Sequence, residues 1–337
     1  MTIRIKKDRI EFDGYTLFET SEGFFFSGQI TGCQIQNEFQ GTTTGFISGG
    51  YTGAALSAIR AFPFATHTNI ATLCNLTVAK SGIAGSSSSI NGYTSGGWLP
   101  GASNVIEKFP FSTNSCSLNI GTICTSRGFP GGHSSYTHGY NSGGTTTGSS
   151  ATSVNCIEKF PFATDGASIN VGGLSGSAGY SQSGTNSSSN GYALGRFRSG
   201  ILACIDKFPF STDTNATNIG ALSTAVSATP SSAVSSYNNA YMLGGAINGS
   251  GGYTSCIQRV SFSTDGNSTG VGNLHRGVAN GINGVSNIIR GYTVGGNFPS
   301  VPGYVSDISM FPYANESCTV CVGTLGLTTS NSASHQN

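Results

Sequence analysis

Five histidines are the residues of this sequence best suited to acid–base or metal chemistry, and they are widely spaced: His67, His133, His138, His275 and His335. A serine hydrolase needs Ser, His and an acid in one geometry, but serine is too abundant here to nominate a set. Cys318-Thr-Val-Cys321 has zinc-like spacing without a second pair or an accompanying histidine. The sequence therefore predicts no catalytic residue, no metal site and no cofactor.

Three acidic residues could act as the carboxylate pair of a glycoside hydrolase only if two of them converged on one substrate. Glu107, Glu158 and Asp206 instead occupy equivalent positions of an internal repeat. Each is followed by a lysine: Lys108, Lys159 and Lys207. We interpret them as a ring of outward-facing ion pairs with a structural role.

The nine cysteines also follow the repeat. Three of them precede the same isoleucine, and two further pairs are interpreted as matching: Cys156, Cys204 and Cys256, then Cys74 with Cys124 and Cys116 with Cys318. Equivalent positions of separate units should lie beyond the reach of a disulfide. We therefore expect small buried apolar residues rather than disulfide bonds.

A repeat of about 50 residues must position all of these groups, and such a period is typical of arrays of supersecondary units. The stretch Ile-Glu-Lys-Phe-Pro-Phe-Ala-Thr-Asp at 157–165 recurs in six copies, which start at Ile59, Ile106, Ile157, Ile205, Ile257 and Ile308. Before it, each unit has a glycine–aromatic strand that ends in a glycine pair, as in Gly92-Tyr-Thr-Ser-Gly96-Gly97, and then a variable loop. A short strand and a Ser/Gly-rich stretch follow, which makes four strands per unit.

The composition limits the possible partners. Charged residues make up 9% of the chain and the net charge is +1, which argues against a nucleic-acid partner because such proteins usually carry a basic patch. No run of 18 apolar residues is present, so we expect no membrane span. The first residues lack the apolar segment of a secretory signal.

Residues 1–44 differ from the repeats in composition and are interpreted as an N-terminal arm, with 45–337 as the repeat array. Two short strands flank Asp13-Gly14, a strong hairpin signal. An isolated hairpin needs a surface to pack on, either its own domain or another protein. The apolar residues available for this anchoring are Ile10, Phe12, Tyr15, Phe18, Phe24, Phe25 and Phe26.

The loops after the glycine pairs should leave one face of the array, and they carry large side chains. Together with Tyr51, the predicted binding residues are Trp98, Phe197, Arg198, Tyr253, Phe298 and Tyr304. Aromatic side chains on loops of a rigid scaffold suit stacking on sugars or contacts with proteins. The alternative is that individual rings fill gaps between the units.

The repeat unit resembles a Kelch repeat: a glycine pair ends one strand, and an aromatic strand, a loop and a short strand closing on Leu follow. Arg127 and Arg276 stand where Kelch repeats often carry Arg. The Tyr-Asp pair of Kelch repeats is replaced by Phe-Pro-Phe, and their Trp is absent. The resemblance covers about 45–325 and implies an all-β fold, a six-bladed Kelch-like β-propeller with four strands per blade, to which the N-terminal β-hairpin arm is attached.

The last copy ends at Leu325, and Thr328–His335 resembles only the start of another opening strand. Closure of the ring must therefore come from one terminus pairing with Gly45–Gly50, because an unpaired strand edge would otherwise be exposed. The sequence leaves open which terminus does so.

The phrase Ile-Glu-Lys-Phe-Pro-Phe-Ala-Thr-Asp, together with Gly-Tyr-x-Ser-Gly-Gly, also resembles repeats in propeller proteins of marine tailed phages, cyanophages in particular. This resemblance implies a non-enzymatic structural protein of the virion, at the tail, fibre or capsid surface, in a symmetric multi-subunit assembly. The implied partners are other virion proteins, through the arm, and a glycan or protein of the host surface. Two alternatives remain: a carbohydrate-active or oxidative enzyme on a propeller scaffold, and a cytosolic interaction adaptor.

Overall fold

The computed structural model describes residues 3–5, 9–12, 15–20, 23–25, 41–68, 70–113, 115–227, 232–247, 252–276, 281–297 and 303–336. The chain divides into two compact units, Met1–Asn37 and Glu38–Asn337. Among the described residues the only helix is a short 3₁₀ turn at Ser150–Thr152. No helix within these ranges is long and apolar enough to cross a membrane.

The first unit is an antiparallel sheet of four strands in chain order: β1 (Ile3–Ile5), β2 (Arg9–Phe12), β3 (Tyr15–Thr20) and β4 (Gly23–Phe25). Phe12 pairs with Tyr15, so β2 and β3 form the hairpin predicted around residues 13–14, and β1 and β4 extend it. The predicted anchoring residues lie on these strands, except Phe26, which is outside the described residues.

The second unit consists of six antiparallel sheets of four strands, which confirms the predicted six-bladed β-propeller. Blade 1 contains β5 (Thr44–Tyr51), β6 (Ala55–Pro63) and β7 (Ile70–Asn75). Blade 2 contains β8 (Ala84–Ser87), β9 (Asn91–Ser95), β12 (Val105–Pro110) and β13 (Leu118–Thr122), with a small hairpin of β10 (Trp98–Leu99) and β11 (Gly101–Ala102). Blade 3 contains β14 (Gly131–Ser134), β15 (His138–Ser142), β16 (Cys156–Pro161) and β17 (Ile169–Gly173).

The remaining blades have the same order of strands from the propeller axis outwards. Blade 4 contains β18 (Ser183–Asn186), β19 (Asn190–Phe197), β20 (Ile201–Pro209) and β21 (Thr217–Ala221). Blade 5 contains β22 (Ala233–Ser235), β23 (Asn239–Ala246), β24 (Tyr253–Ser261) and β25 (Thr269–Asn273). Blade 6 contains β26 (Asn283–Ser286), β27 (Arg290–Asn297), β28 (Tyr304–Pro312) and β29 (Val320–Thr324).

The C-terminal strand closes the ring. β30 (Ala333–Gln336) pairs with β5, so that Ala333 lies opposite Ser48 and Gln336 opposite Gly45. It is the innermost strand of blade 1, a place that the Ser/Gly-rich stretches fill in the other five blades. Each sequence repeat is therefore offset from its blade, because its last strand belongs to the next blade.

The two repeated motifs meet at every boundary between blades. Between blades 2 and 3, the Tyr93 ring stacks on Phe162 with centroids 4.5 Å apart and lies 5.8 Å from Phe160. Four other boundaries have the corresponding stacked pairs Phe46–Phe111, Tyr140–Phe210, Tyr241–Tyr313 and Phe64–Tyr292, and the boundary between blades 4 and 5 has the tilted pair Tyr192–Phe262. The glycine–aromatic strand and the Phe-Pro-Phe strand are thus the two halves of one interface.

Glycine precedes these aromatic residues because there is no room for a side chain. A Cβ atom at Gly139 would lie 2.3 Å from the Phe160 ring, which belongs to the neighbouring strand of the same blade. The proline of Phe-Pro-Phe is the last residue of its strand, as at Pro161, where the missing N–H costs no hydrogen bond of the ladder.

Around the axis the inner strands approach very closely and are joined by side chains. A Cβ at Gly184 would lie 2.2 Å from the carbonyl oxygen of Gly132 in the preceding blade. Polar side chains accept hydrogen bonds from backbone N–H groups of the adjacent inner strand, in the donor–acceptor pairs Ser87–Ser134, Ser134–Asn186, Ser235–Ser286, Ser286–Gln336 and Gln336–Ser87.

Two histidines of this inner ring are buried. His133 Nδ1 lies 2.9 Å from the Thr185 carbonyl oxygen, and His335 Nδ1 lies 3.0 Å from that of Ser86. Burial lowers the pKa of each histidine to about 4. Both rings are therefore neutral in the folded protein near pH 7.

These histidines predict a loss of stability in mild acid. With a pKa of about 6.5 when unfolded and about 4 when folded, the unfolded chain binds more protons as the pH falls below 6.5. The free energy of unfolding should drop by about 2 kcal/mol per histidine between pH 7.5 and pH 5. Urea unfolding at the two pH values measures this drop.

The double variant His133→Thr/His335→Thr is the control, because threonine occupies the equivalent position at Thr185. It should lose about 4 kcal/mol less between the two pH values than the parent chain. An equal loss in both proteins would contradict the assignment.

Ring closure predicts unequal effects of the two termini. Removal of 333–337 leaves β5 with an unpaired edge and should lower the free energy of unfolding by several kcal/mol, since Ala333 and His335 are fully buried. Removal of 1–37 takes away the first unit and leaves all six blades complete, so it should leave the unfolding midpoint of the propeller nearly unchanged. Comparable destabilisation by both truncations, in thermal unfolding, would contradict this view.

Candidate functional site

The candidate site lies at the end of the propeller where each second strand passes to the third. We name this end the loop face; it also contains the linkers that lead from an outer strand to the next inner strand. Loop and linker meet in short two-stranded pairings: Trp98 pairs with Ser81, and Phe197 pairs with Tyr180. The opposite end, where inner strands turn into second strands, is named the turn face.

The predicted binding residues are distributed around the loop face. Trp98, Phe197, Tyr253 and Tyr304 are partly buried, whereas Arg198 is exposed. Phe298 is outside the described residues. Their blades differ, and the structure brings only some of them together.

Four rings form a continuous row, here named the aromatic arc: Trp98, Phe129, Tyr180 and Phe197. The centroid distances along it are 6.3 Å, 6.4 Å and 5.6 Å. The arc runs from blade 2 to blade 4. The sequence analysis did not predict Phe129 and Tyr180 as binding residues because they lie on linkers and not on the loops after the glycine pairs. A large aromatic residue inside a Ser/Gly-rich stretch would have indicated them.

The scaffold positions the ends of the arc through backbone hydrogen bonds. The Trp98 N–H donates to the Ser81 carbonyl at 2.6 Å, and the Phe197 N–H donates to that of Tyr180 at 2.8 Å. The Trp98 ring also lies against the linker that leads to blade 3, since a Cβ at Gly128 would be 2.9 Å from it. Trp98 therefore both fills a gap between blades and exposes part of its ring.

Phe129 holds an unusual backbone conformation in the middle of the arc. Its φ angle is 58°, in the left-handed region, which costs a residue other than glycine about 1 kcal/mol. The corresponding linker positions carry small or flexible residues: Gly82, Ser181 and Asn331. A bulky aromatic residue is the least suited to this conformation, and such strain tends to accumulate at functional sites.

The other predicted aromatic residues lie elsewhere on the loop face. Tyr51 and Tyr304 form an edge-to-face pair between blades 1 and 6, with centroids 5.9 Å apart. Tyr253 belongs to blade 5, and in the described part of the chain no ring contact joins it to either group. The sequence-based site is thus divided into two clusters and a separate residue.

The predicted outward-facing ring of carboxylates is wrong. Glu107, Glu158 and Asp206 are 1%, 0% and 0% exposed and lie between blades. Their partners come from the loop-face side of each boundary: Lys80 at 2.9 Å from Glu107, Arg127 with Glu158, and Arg196 at 2.7 Å from Asp206. The residue after a buried strand residue was assumed to face solvent, but stacked blades bury both faces of the strand.

The adjacent lysines pair with different carboxylates. Lys159 reaches Asp213 at 2.7 Å, in the next blade. The equivalent pairs are Lys108–Asp165, Lys207–Asp265 and Arg259–Glu316. Each of these four boundaries therefore has an outer, partly exposed ion pair.

The buried cation can come from either of two places. In blade 3 the linker supplies Arg127, and a Cβ at Gly144 would lie 3.0 Å from its Cδ. In blade 4 the roles are exchanged: Arg196 stands in place of the second glycine of the pair, and a Cβ at linker residue Gly179 would lie 2.8 Å from its Cδ. At both boundaries one of the two positions supplies the cation, and the other is a glycine whose missing side chain leaves room for it.

Blade 5 has a neutral version of this contact. Gln258 takes the place of the carboxylate, and its Oε1 accepts hydrogen bonds from Ser223 and from the Thr224 N–H. Val226 takes the place of the cation. This boundary is therefore built with a neutral residue in both the carboxylate position and the cation position.

The expectation that the cysteines are buried and unpaired is also wrong. Cys74 and Cys116 form a disulfide between blades 1 and 2, with Cα atoms 4.9 Å apart. Cys124, Cys318 and Cys321 are exposed, and the other free cysteines of the described residues, Cys156, Cys204 and Cys256, are half-buried.

Strand register explains the disulfide. Cys74 lies opposite Ile59 as Gly121 lies opposite Ile106, so Cys74 is equivalent to Gly121 and not to Cys124. At that glycine the next blade comes so close that a Cβ would be 2.3 Å from the Gly166 carbonyl oxygen. Cys74 and Cys116 lie where blades 1 and 2 come equally close. They occupy different positions of the repeat, so the distance between equivalent positions does not keep them apart.

The ionisable groups of the described residues do not converge on one point. The carboxylates are distributed among blade boundaries, where burial alone would raise the pKa of Glu107 but Lys80 and hydrogen bonds from Thr77 hold it below its usual value. His275 lies 3.6 Å from Asp307, between blades 5 and 6. Among the described residues, no group of three or more metal-ligating side chains is present.

Comparison with known proteins gives a fold and no family. No protein-family model matches the chain, and no curated protein does. Among solved structures, the chain is similar to one titled "Structure of YjhT", with a TM-score of 0.66 and 11% sequence identity over 85% of this chain and 99% of that one. At that identity the likeness shows the propeller fold alone.

The buried pair of blade 3 makes a testable prediction. Arg127→Val leaves Glu158 buried without its cation and should lower the free energy of unfolding by roughly 3–5 kcal/mol. The matched double variant Arg127→Val/Glu158→Gln reproduces Val226 and Gln258 of blade 5 and should recover most of that loss. Denaturant unfolding of both variants measures the difference, and equal destabilisation of the two would contradict the proposed pairing.

Proposed function

We propose that this chain is a non-enzymatic structural protein of a tailed-phage particle, which displays a Kelch-like propeller for attachment to the host surface or for particle assembly. The N-terminal arm binds other virion proteins, and the loop face contacts a glycan or a protein of the host. The protein forms part of a symmetric multi-subunit assembly. Support comes from the resemblance of its repeats to Kelch units and to those of propeller proteins from marine tailed phages.

The observation that carries the proposal is the position of the chain entry relative to the aromatic arc. Gly41 pairs with Asn287, and its N–H donates to the Ser286 carbonyl at 2.9 Å, which is at the turn face. The arc lies on the loop face, at the other end of the propeller. A protein attached through residues before Gly41 can therefore present the arc away from its attachment point.

The arc has the chemistry of a glycan-binding surface. Partly exposed rings stack on the apolar faces of sugars, and hydroxyl side chains beside them can bind sugar hydroxyls. The neighbouring loop contributes Thr146, Thr147, Ser149 and Ser150, all of them uncharged. Arg198, exposed beside Phe197, adds one positive charge at the end of the arc.

Two further features favour a particle over the alternatives. A disulfide such as Cys74–Cys116 persists outside the reducing cytosol, on virion surfaces among other places, which argues against a cytosolic adaptor. Acid–base catalysis needs carboxylates that reach a substrate, whereas Glu107, Glu158 and Asp206 are fully buried and paired.

The first test of the proposal is mass spectrometry of purified virus particles from the source of this sequence. We expect the chain at a fixed copy number, a multiple of three or six. Absence from the particles, together with a stable intracellular partner, would overturn the proposal in favour of an adaptor.

The role of the arc is tested with Phe129→Gly. Glycine adopts the left-handed φ without strain, so the backbone should gain stability while the ring is lost. We expect at least a tenfold loss of affinity for cyanobacterial cells and for polysaccharide extracted from their envelopes, without a lower unfolding midpoint. Leu118→Ser, at an exposed position on an outer strand, is the control. Unchanged binding by Phe129→Gly would contradict the role of the arc.

A further inference from the structure

The turn face presents apolar side chains at the tips of its turns. The most exposed apolar residue of each such turn, among the described residues, is Ile90 at 67%, Tyr136 at 48%, Tyr237 at 40% and Ile289 at 58%. They lie in the turns between the inner and second strands of blades 2, 3, 5 and 6, and so surround the propeller axis. We name these four residues the apolar ring; in blade 4 the corresponding turn is Ser187-Ser188-Ser189.

The turns that carry the ring are held in one conformation by their own side chains. Ser88 Oγ accepts a hydrogen bond from the Asn91 N–H at 3.0 Å, and Ser135 Oγ accepts one from the His138 N–H at 3.0 Å. Ser187, Ser236 and Asn287 do the same in the other blades. Such side-chain-capped turns are rigid, so the exposed apolar residues are presented in fixed positions.

The apolar ring and the charged residues around it are arranged as in a protein–protein interface. Its centre is apolar, whereas the ion pairs Lys108–Asp165, Lys159–Asp213, Lys207–Asp265 and Arg259–Glu316 lie farther from the axis on the third strands and the loops that follow them. An apolar centre with a polar rim is the usual anatomy of a protein–protein interface. The four ring residues themselves are uncharged, and the one cation directly next to a ring residue in the sequence, Arg290 after Ile289, is not the basic patch that nucleic acid or anionic lipid would need.

The chain enters the propeller at this same face. Residues 41–43 fill the place that the turns occupy in other blades: the Phe64 N–H donates to the Thr43 carbonyl at 2.9 Å, as the Phe111 N–H donates to that of Ile90 at 3.0 Å. A partner that holds the N-terminal unit is linked through the chain to Gly41 at this face, and such a covalent link raises the effective concentration of that partner at the ring.

We propose that the apolar ring docks on the same particle protein that binds the arm, through an uncharged apolar surface of that protein. This inference rests on the proposed function. The arm and the ring form a two-part attachment, in which the arm supplies the tether and the ring fixes the propeller axis against the particle. The loop face is thereby directed outwards.

The test uses the full chain and purified particles that lack it. The ring variant carries Ile90→Ser, Tyr136→Ser, Tyr237→Ser and Ile289→Ser, which gives each of these positions the serine found at the corresponding position of blade 4. The control variant carries Leu118→Ser, Ile169→Ser and Val320→Ser, at exposed apolar positions on outer strands. Co-sedimentation measures binding to the particles, and thermal unfolding checks that both variants are folded.

We expect the ring variant to bind particles at least tenfold more weakly than the parent chain, and the control and Phe129→Gly to bind like the parent. Equal binding by parent and ring variant would overturn the docking surface and leave the proposed function intact. Absence of binding by the parent chain would overturn both. If sedimentation equilibrium shows that the parent dimerises through the ring and the ring variant does not, the occupant is a second copy, and the proposed partner is wrong.

Discussion

The stacking of an aromatic ring from one blade on the Phe-Pro-Phe strand of the next is the interaction on which the propeller depends. It recurs at all six boundaries, for example between Tyr93 and Phe162 and between Phe64 and Tyr292. A single four-stranded sheet cannot bury both of its faces, so each blade is stable only between two neighbours. The glycines before the aromatic residues, the prolines at strand ends and the closure by β30 all serve this stacking.

Polar contacts vary from boundary to boundary around this constant aromatic core. The cation beside the buried carboxylate comes from a linker in blades 2 and 3 and from the glycine-pair position in blade 4, and blade 5 has a neutral pair. Between blades 1 and 2, Ala61 stands where Lys108 begins an outer ion pair elsewhere, and the Cys74–Cys116 disulfide links the same two blades instead. Different chemistry therefore stabilises structurally equivalent contacts.

The two ends of the propeller differ in chemistry because different parts of each repeat form them. Long loops and linkers of varied length make the loop face, where the aromatic arc accepts the backbone strain at Phe129. Short, hydrogen-bonded turns make the turn face, where rigid apolar tips surround the axis. A ring of stacked blades separates the two surfaces, so a substitution on one of them leaves the other unchanged.

The sequence by itself determined the number of blades, the strands within each repeat and the hairpin between β2 and β3, because these follow from periodicity and from contacts between residues close in the chain. It also placed Trp98 and Phe197 at the loop face, although both lie on strands there. The tertiary structure decided that β30 closes the ring, that Glu158 faces Arg127 and not solvent, that Cys74 bonds to Cys116, and that Phe129 and Tyr180 complete the arc. Each of these depends on how one blade lies against the next, and the spacing of residues along a single repeat does not contain that information.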